Sequence, residues 1–420
     1  MGGMKNRIKF IVWFSAFMGT LLVVRLAVMW TTPVFDPSEA RYAAISANMA
    51  RTGDFLVPHF THKGVYQPFD GKPPLVFQAG GMACRLFGVN EFAVRLFPFL
   101  SALMLLALLF RTVRRLKGTL AALMAVGICL TCTAFFAAIG FCMTDIPLTC
   151  CVAGALLLYA ESAALDKFGW WSVLGMATLI GVGMLVKGPV TLVLVGLPVF
   201  VDAFLNRRWR SLAGGKCLCG IFIVLLISAP WFVLMQMRDP DFLRYFFINE
   251  NVLRFLTQDY GDRYGAGRRT FQGMAALHAF VVTLPWSFFP LLEIRRSMAM
   301  RRESLWGRFL LAMRRSFCLL SVIVITLFWC LTSRVPIAYL FPVIPLFSAW
   351  LAMRRRSFRF RWMFPFAAFA SVVVLLGAIL FTRCFTRKMQ GADAPKRISG
   401  RHYSYEFYHG PWGCPKGKVK

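Results

Sequence analysis

FAVRLFPFLSALMLLALLF (residues 92–110), RTVRRLK (111–117) and GTLAALMAVGICLTCTAFFAAIG (118–140) read as one membrane crossing, a basic turn and a second crossing. Each apolar run is close to the roughly 20 residues that a bilayer requires. Only helices and closed barrels satisfy their backbone polar groups in lipid. The runs are near-continuous rather than alternating, which indicates helices and excludes a barrel. Arg111, Arg114, Arg115 and Lys117 crowd the turn with no acid among them, the mark of a loop retained in the cytoplasm.

The same pattern extends in both directions. About eleven spans are expected at the length a bilayer sets: 8–30, 92–110, 118–140, 146–164, 170–186, 189–205, 216–235, 271–292, 317–332, 336–352 and 362–382. With a cytoplasmic N-terminus, alternate loops should be basic, and they are. Arg207, Arg208, Arg210 and Lys216 fill one, Arg295, Arg296, Arg301, Arg302, Arg308, Arg314 and Arg315 the next, and Arg354, Arg355, Arg356, Arg359 and Arg361 another. The chain is 58% hydrophobic and only 16% charged, against about 25% charged in soluble domains. Its net charge of +30 would suggest nucleic acid in a soluble protein; confined to short loops it reports topology and membrane lipid instead, so no nucleic-acid partner is expected. The first run is too long for a signal-peptide core and reads as an uncleaved span.

The expected fold is therefore an all-α polytopic membrane protein over 1–382, followed by a short basic tail, 383–420, of Gly- and Pro-rich composition and little order. Two long loops, 31–91 and 236–270, lie on the extracytoplasmic side. Apolar positions at helical spacing (Ile45 and Met49; Leu243, Phe246 and Phe247) predict amphipathic helices along the interface. No internal repeat is visible, which weighs against many transporter folds. The 12 cysteines lie mostly in apolar runs and read as small hydrophobes, not as a disulfide framework or metal knuckle.

The acidic residues collect on the extracytoplasmic face. Asp36-Pro37-Ser38-Glu39 fits a capping box and equally a general base just outside the membrane. Asp145, in Met143-Thr144-Asp145-Ile146-Pro147, either caps the following span or acts, since an acid at membrane depth needs a partner or a role. Lys187-Gly188-Pro189 is a tight turn with a snorkelling lysine or an anion-binding lysine at a helix start. Asp70-Gly71-Lys72-Pro73-Pro74, Arg254, Arg263, Arg334 and Tyr339 add cations and an aromatic to the same face. Such cations often contact lipid phosphates; converging with carboxylates they point to a phosphate-bearing substrate. His59 and His62 read as solvated loop residues. The absence of P-loop, GxSxG and HExxH motifs argues against soluble NTP chemistry, serine hydrolysis and zinc proteolysis.

Taken in order, DPSEARYAAISANMARTGDFLVPHF (36–60), FDGKPPLVFQ (69–78), LFGVNEFAVRL (86–96), MTDIPL (143–148), LVKGP (185–189), APWF (229–232), FLRYFFINENVLRF (242–255) and SRVPIAYLFPVIP (333–345) resemble the polytopic glycosyltransferases that use lipid-linked sugars. The similarity is to the bacterial aminoarabinose transferases of lipid A, within the wider protein O-mannosyltransferase superfamily. It implies an inverting transfer from a polyprenyl (undecaprenyl) phosphate sugar to a lipid A, glycan or protein acceptor, on the outer face of a bacterial inner membrane. By the same resemblance Asp36, Glu39 and Asp145 supply the catalytic carboxylates. Lys72, Arg254, Arg334 and Tyr339 contact the donor phosphate, with Lys187 beside them. Arg41, Tyr42 and Asp70 belong to the loop that meets the acceptor.

This chain departs from that pattern at several points. Ser38 replaces the Asp of an Asp-Glu-Ala-Arg-Tyr motif, a Glu-Lys pair is split as Asp70-Gly71-Lys72, and a Glu-His pair reads Glu250-Asn251. The Glu-His pair is associated with a metal in the aminoarabinose enzymes, so a divalent metal is the one cofactor left open. Two rival readings are a non-enzymatic lipid or glycan transporter and an assembly subunit of the envelope. The first predicts acids buried mid-span, and the second needs no clustered carboxylates.

Overall fold

The computed structural model describes residues 2–35, 37–62, 65–209, 214–257, 263–264, 270–290, 311–314, 316–354, 364–373, 376–377, 380 and 403–410. Chain order runs α1 (Gly2–Thr31), α2 (Ser38–Thr52), β1 (His59–His62), β2 (Val65–Pro68), α3 (Leu75–Phe87), α4 (Glu91–Lys117), α5 (Thr119–Leu130), α6 (Thr133–Ala138), α7 (Asp145–Ala164), α8 (Trp170–Lys187), α9 (Val190–Asn206) and α10 (Gly215–Arg238). A π-helix over Arg244–Leu253 precedes α11 (Met274–Val282), α12 (Phe317–Cys330), a 3-10 turn at Ile337–Leu340, α13 (Val343–Ala352), α14 (Phe364–Val373) and α15 (Tyr403–His409). Among the described residues, α1, α4, α7, α8 and α10 are long and apolar enough to cross a membrane, and α3, α5, α9, α12, α13 and α14 are shorter apolar helices.

Local chemistry sets the ends of α4. Asn90 Oδ1 accepts the Ala93 N–H at 2.9 Å, and Gly118, at φ +86°, turns the chain away from the last turn. Glu91 at its start and Arg114, Arg115 and Lys117 at its end complement the helix dipole. The α7 helix is the hub and is buried along nearly its whole length, packed between α4, α8 and α9. Its sequence explains why: small residues let neighbouring helices approach. A Cβ placed on Gly154 would stand 3.0 Å from Leu108 and 3.1 Å from Leu179.

Several expectations change in detail. The run 118–140 is two helices, broken at Thr131 and Cys132, where Thr131 Oγ1 takes the buried Trp286 Nε1–H at 3.0 Å. The run 336–352 opens with the 3-10 turn before α13. The first loop folds as α2, an antiparallel hairpin with His59 opposite Pro68, and α3. In the second loop the predicted helix is a π-helix whose Phe246 is buried with Phe242 against Trp231 and Phe232.

The tail needs a correction. Its segment 403–409 is a short helix, α15, seated on α2 and β1 rather than an unstructured end. Phe407 is fully buried. Glu406 accepts Asn48 Nδ2–H at 2.7 Å and the Thr61 N–H at 3.0 Å, while Arg51 donates to the Phe407 carbonyl at 2.7 Å.

Candidate active site

The first loop is fixed by one carboxylate. Glu39, 1% exposed, reaches back to accept the Phe35 N–H at 2.9 Å, as a residue at the start of a helix can. Arg95 of α4 donates to both of its oxygens, at 2.7 and 2.9 Å, and the Cys142 N–H adds a bond at 3.1 Å. Both oxygens are therefore consumed in tying the loop to α4 and to the turn before α7. Glu39 thus anchors the loop through these four bonds. Asp36 lies outside the described residues.

That anchoring brings the first loop and the start of α7 together. Ser38, Arg41, Tyr42, Lys72, Asp145, Lys187, Glu250, Arg254 and Tyr339 line one chamber of about 200 Å³. Asp145 sits on the first turn of α7 and accepts Lys187 Nζ–H at 2.6 Å. The chain can present Lys187 inward because Gly188, at φ +84°, turns α8 into α9. A side chain there would also meet the Phe246 ring, at 2.6 Å from the Cβ. Lys187 Nζ lies 4.2 Å from the Tyr339 ring centre, a cation–π contact, so this lysine is buried and paired instead of snorkelling. The Arg41 guanidinium lies against the Tyr42, Phe69 and Tyr403 rings.

Glu250 gathers the remaining cations. Its Oε2 accepts Arg254 Nη1–H at 2.9 Å and stands 3.8 Å from Lys72 Nζ, while Tyr245 Oη donates to Oε1 at 3.1 Å. Burial pushes the Lys72 ammonium down to about 7; Glu250 opposes this, and Arg254, Lys187 and Arg41 add to it. A second cavity of about 340 Å³ shares Lys72, Lys187, Glu250, Arg254 and Tyr339 with the chamber and continues along Val190, Val193, Phe255, Phe328 and Trp329. Arg334, 8% exposed, borders this apolar groove. The groove and the chamber therefore meet at a cationic neck.

Asp70 stands apart. It lines a wider vestibule of about 760 Å³ with His59, His62, Asp239 and Arg263. Arg263 donates to it at 2.8 Å, yet burial outweighs that partner and raises its carboxyl above the usual range. Tyr264 borders both vestibule and chamber. Tyr264 was not singled out from sequence, and Glu250 was marked only as part of the altered Glu-His pair, although the spacing of Glu250 and Arg254 puts both on one helical face.

Among the described residues no three His, Cys, Asp or Glu side chains come together as a metal cluster. Each Glu250 oxygen already accepts a hydrogen bond, from Tyr245 and from Arg254, with Lys72 Nζ 3.8 Å away.

A family model described as dolichyl-phosphate-mannose-protein mannosyltransferase matches residues 71–234. The undecaprenyl phosphate-alpha-4-amino-4-deoxy-L-arabinose arabinosyl transferase of Edwardsiella ictaluri is 32% identical over 227 residues, 53% of this chain and 40% of that protein. Its counterpart in Erwinia tasmaniensis is 30% identical over 244 residues, 57% of this chain and 42% of that protein. This chain thus spans less than half the length of these two curated relatives. The crystal structure of ArnT from Cupriavidus metallidurans bound to undecaprenyl phosphate matches with a TM-score of 0.66 at 25% identity, covering 96% of this chain and 76% of that one. Sequence motifs, family match and fold agree in likening the chain to the polytopic membrane proteins that include the aminoarabinose transferases and the protein mannosyltransferases.

Proposed function

We propose that this protein is an integral-membrane inverting glycosyltransferase, moving a sugar from a polyprenyl phosphate to a lipid, glycan or protein acceptor on the extracytoplasmic face of a bacterial inner membrane. One observation carries the reading: the chamber holding Asp145 and the apolar groove share a neck built from Lys72, Lys187, Arg254 and Tyr339. The groove suits a prenyl chain, the neck its phosphate, and the chamber the sugar. The ArnT with undecaprenyl phosphate bound supports a donor of that class. The basic turn of Arg111 to Lys117 lies at the opposite end of α4 from Glu91, which supports an outward-facing site.

In the proposed step the bond between the sugar C1 and the phosphate oxygen breaks, and its electron pair leaves with the phosphate. Lys72 and Arg254 hold the growing charge through charge-assisted hydrogen bonds in a water-poor neck. The acceptor oxygen attacks C1 from the far side, which inverts the centre. A hydroxyl acceptor passes its proton to a carboxylate, Asp145 or Asp36; a phosphate acceptor has no such proton, and the carboxylate then positions it. No step runs through a metal.

The test is transfer by purified protein in vesicles containing polyprenyl-phosphate sugars, with released polyprenyl phosphate as the readout. Asp145→Asn and Asp36→Asn should each lower turnover about 100-fold or more, in the range typical of general-base catalysis, while inserting normally. Near-wild-type transfer by both variants, or donor binding with no release of polyprenyl phosphate by the wild type, contradicts the proposal.

A further inference from the structure

The other end of the helix bundle carries a second charged recess. The α7 helix contributes Asp145, its first residue, to the chamber and Ala163 and Ala164, its last two, to a cavity of about 500 Å³. At about 1.5 Å per residue the two are about 30 Å apart, the thickness of a bilayer core. The α9 helix repeats the relation, with Val190 in the groove and Asn206 in this cavity. The recess therefore opens on the membrane face opposite the active site.

Arg115, Lys117, Arg208, Arg314 and Arg354 border it, with Asp202 the one carboxylate among its lining residues. Cations are ordinary in loops on this face, where they report topology. Their arrangement here goes further, for two reasons. They come from four separate stretches, at the ends of α4, α9 and α13 and just before α12, and converge on a hollow between helix ends. Among the described residues, acids also offset just two of these five cations, Arg115 beside Glu161 and Arg208 at 4.0 Å from Asp202. Asp202 accepts Tyr159 Oη–H at 2.9 Å and Asn206 Nδ2–H at 2.8 Å, and Glu161 accepts from Arg111 at 2.9 Å and from Arg115. The wall carries a surplus of positive charge at headgroup depth, and Arg354 stacks at 5.0 Å over Trp350, a residue suited to the interface.

We propose that this recess binds the phosphate headgroup of an anionic phospholipid of the surrounding membrane, separately from the donor site. The bound lipid would bridge the ends of α4, α9, α12 and α13. The occupant is a lipid rather than a free phosphate because Leu116, Leu165, Phe317 and Trp350 line the same cavity and offer acyl chains an apolar surface beside the cations.

Native mass spectrometry of the full chain, titrated with phosphatidylglycerol, phosphatidylcholine or inorganic phosphate, tests this. The wild type should retain one phosphatidylglycerol at a concentration at least fivefold below that needed for phosphatidylcholine. The triple variant Lys117→Gln, Arg314→Gln, Arg354→Gln should weaken phosphatidylglycerol binding tenfold or more while leaving undecaprenyl phosphate binding unchanged, which also shows that it is folded. Equal retention of the two phospholipids by the wild type overturns the proposal and needs no variant. Undiminished phosphatidylglycerol binding by a folded triple variant overturns it as well. Displacement of phosphatidylglycerol by millimolar inorganic phosphate would assign the recess to a soluble anion and overturn the lipid.

Discussion

At Lys72, charge and burial oppose each other most directly. Its ammonium stands 3.8 Å from Glu250, yet burial and three neighbouring cations bring it down to about 7. A bound phosphate would favour the charged form, so binding and protonation are coupled. Below pH of about 7 the lysine is already charged and affinity for polyprenyl phosphate is flat. Above it, each binding event takes up a proton, and affinity falls by up to about tenfold per pH unit. Lys72→Arg keeps its charge at all these pH values and should flatten the profile. Binding curves between pH of about 6 and 9 check this; a level wild-type profile contradicts the coupling. The residues of this neck were legible because charge is conspicuous in an apolar chain: Lys72, Lys187, Arg254 and Tyr339 were all marked, and all line both cavities. The anchoring of Glu39 was not legible because its partner Arg95 lies 56 positions away, and nothing local distinguishes an anchored carboxylate from a reactive one.

Among the elements, α15 was hidden most completely. Its seven residues have no long apolar run, and its stability comes from partners far back in sequence, with Glu406 bonded to Asn48 across 358 positions. A helix this short holds only through tertiary contacts. Phe407→Ala removes a fully buried ring and should cost about 3–5 kcal/mol locally. Hydrogen exchange should then accelerate in α2 and β1, beneath the helix, while α7 keeps its protection; unchanged exchange over 38–62 contradicts the assignment. The hairpin was missed for a related reason, since HFTH and VYQP are short and each pairs only with the other. By contrast α2 was legible as a helix from the spacing of Ile45 and Met49, yet it is buried on nearly every side instead of lying along the interface with one face exposed.

Over the whole molecule, apolar length and loop charge were enough for a polytopic helical protein, because both are bulk demands of the bilayer. The breaks inside those runs were not, since Thr131 departs from the helix to meet Trp286, a partner 155 positions later. The groove beside the neck has one further consequence. Val193 and Leu256 on its wall are exposed, so the proposed carrier would enter sideways, by diffusion within the plane of the bilayer. Its relevant concentration is then a surface density, expressed as mole fraction of lipid. Diluting proteoliposomes several-fold with buffer should leave the initial rate per protein unchanged, whereas diluting the donor with host lipid inside each vesicle should lower it in proportion.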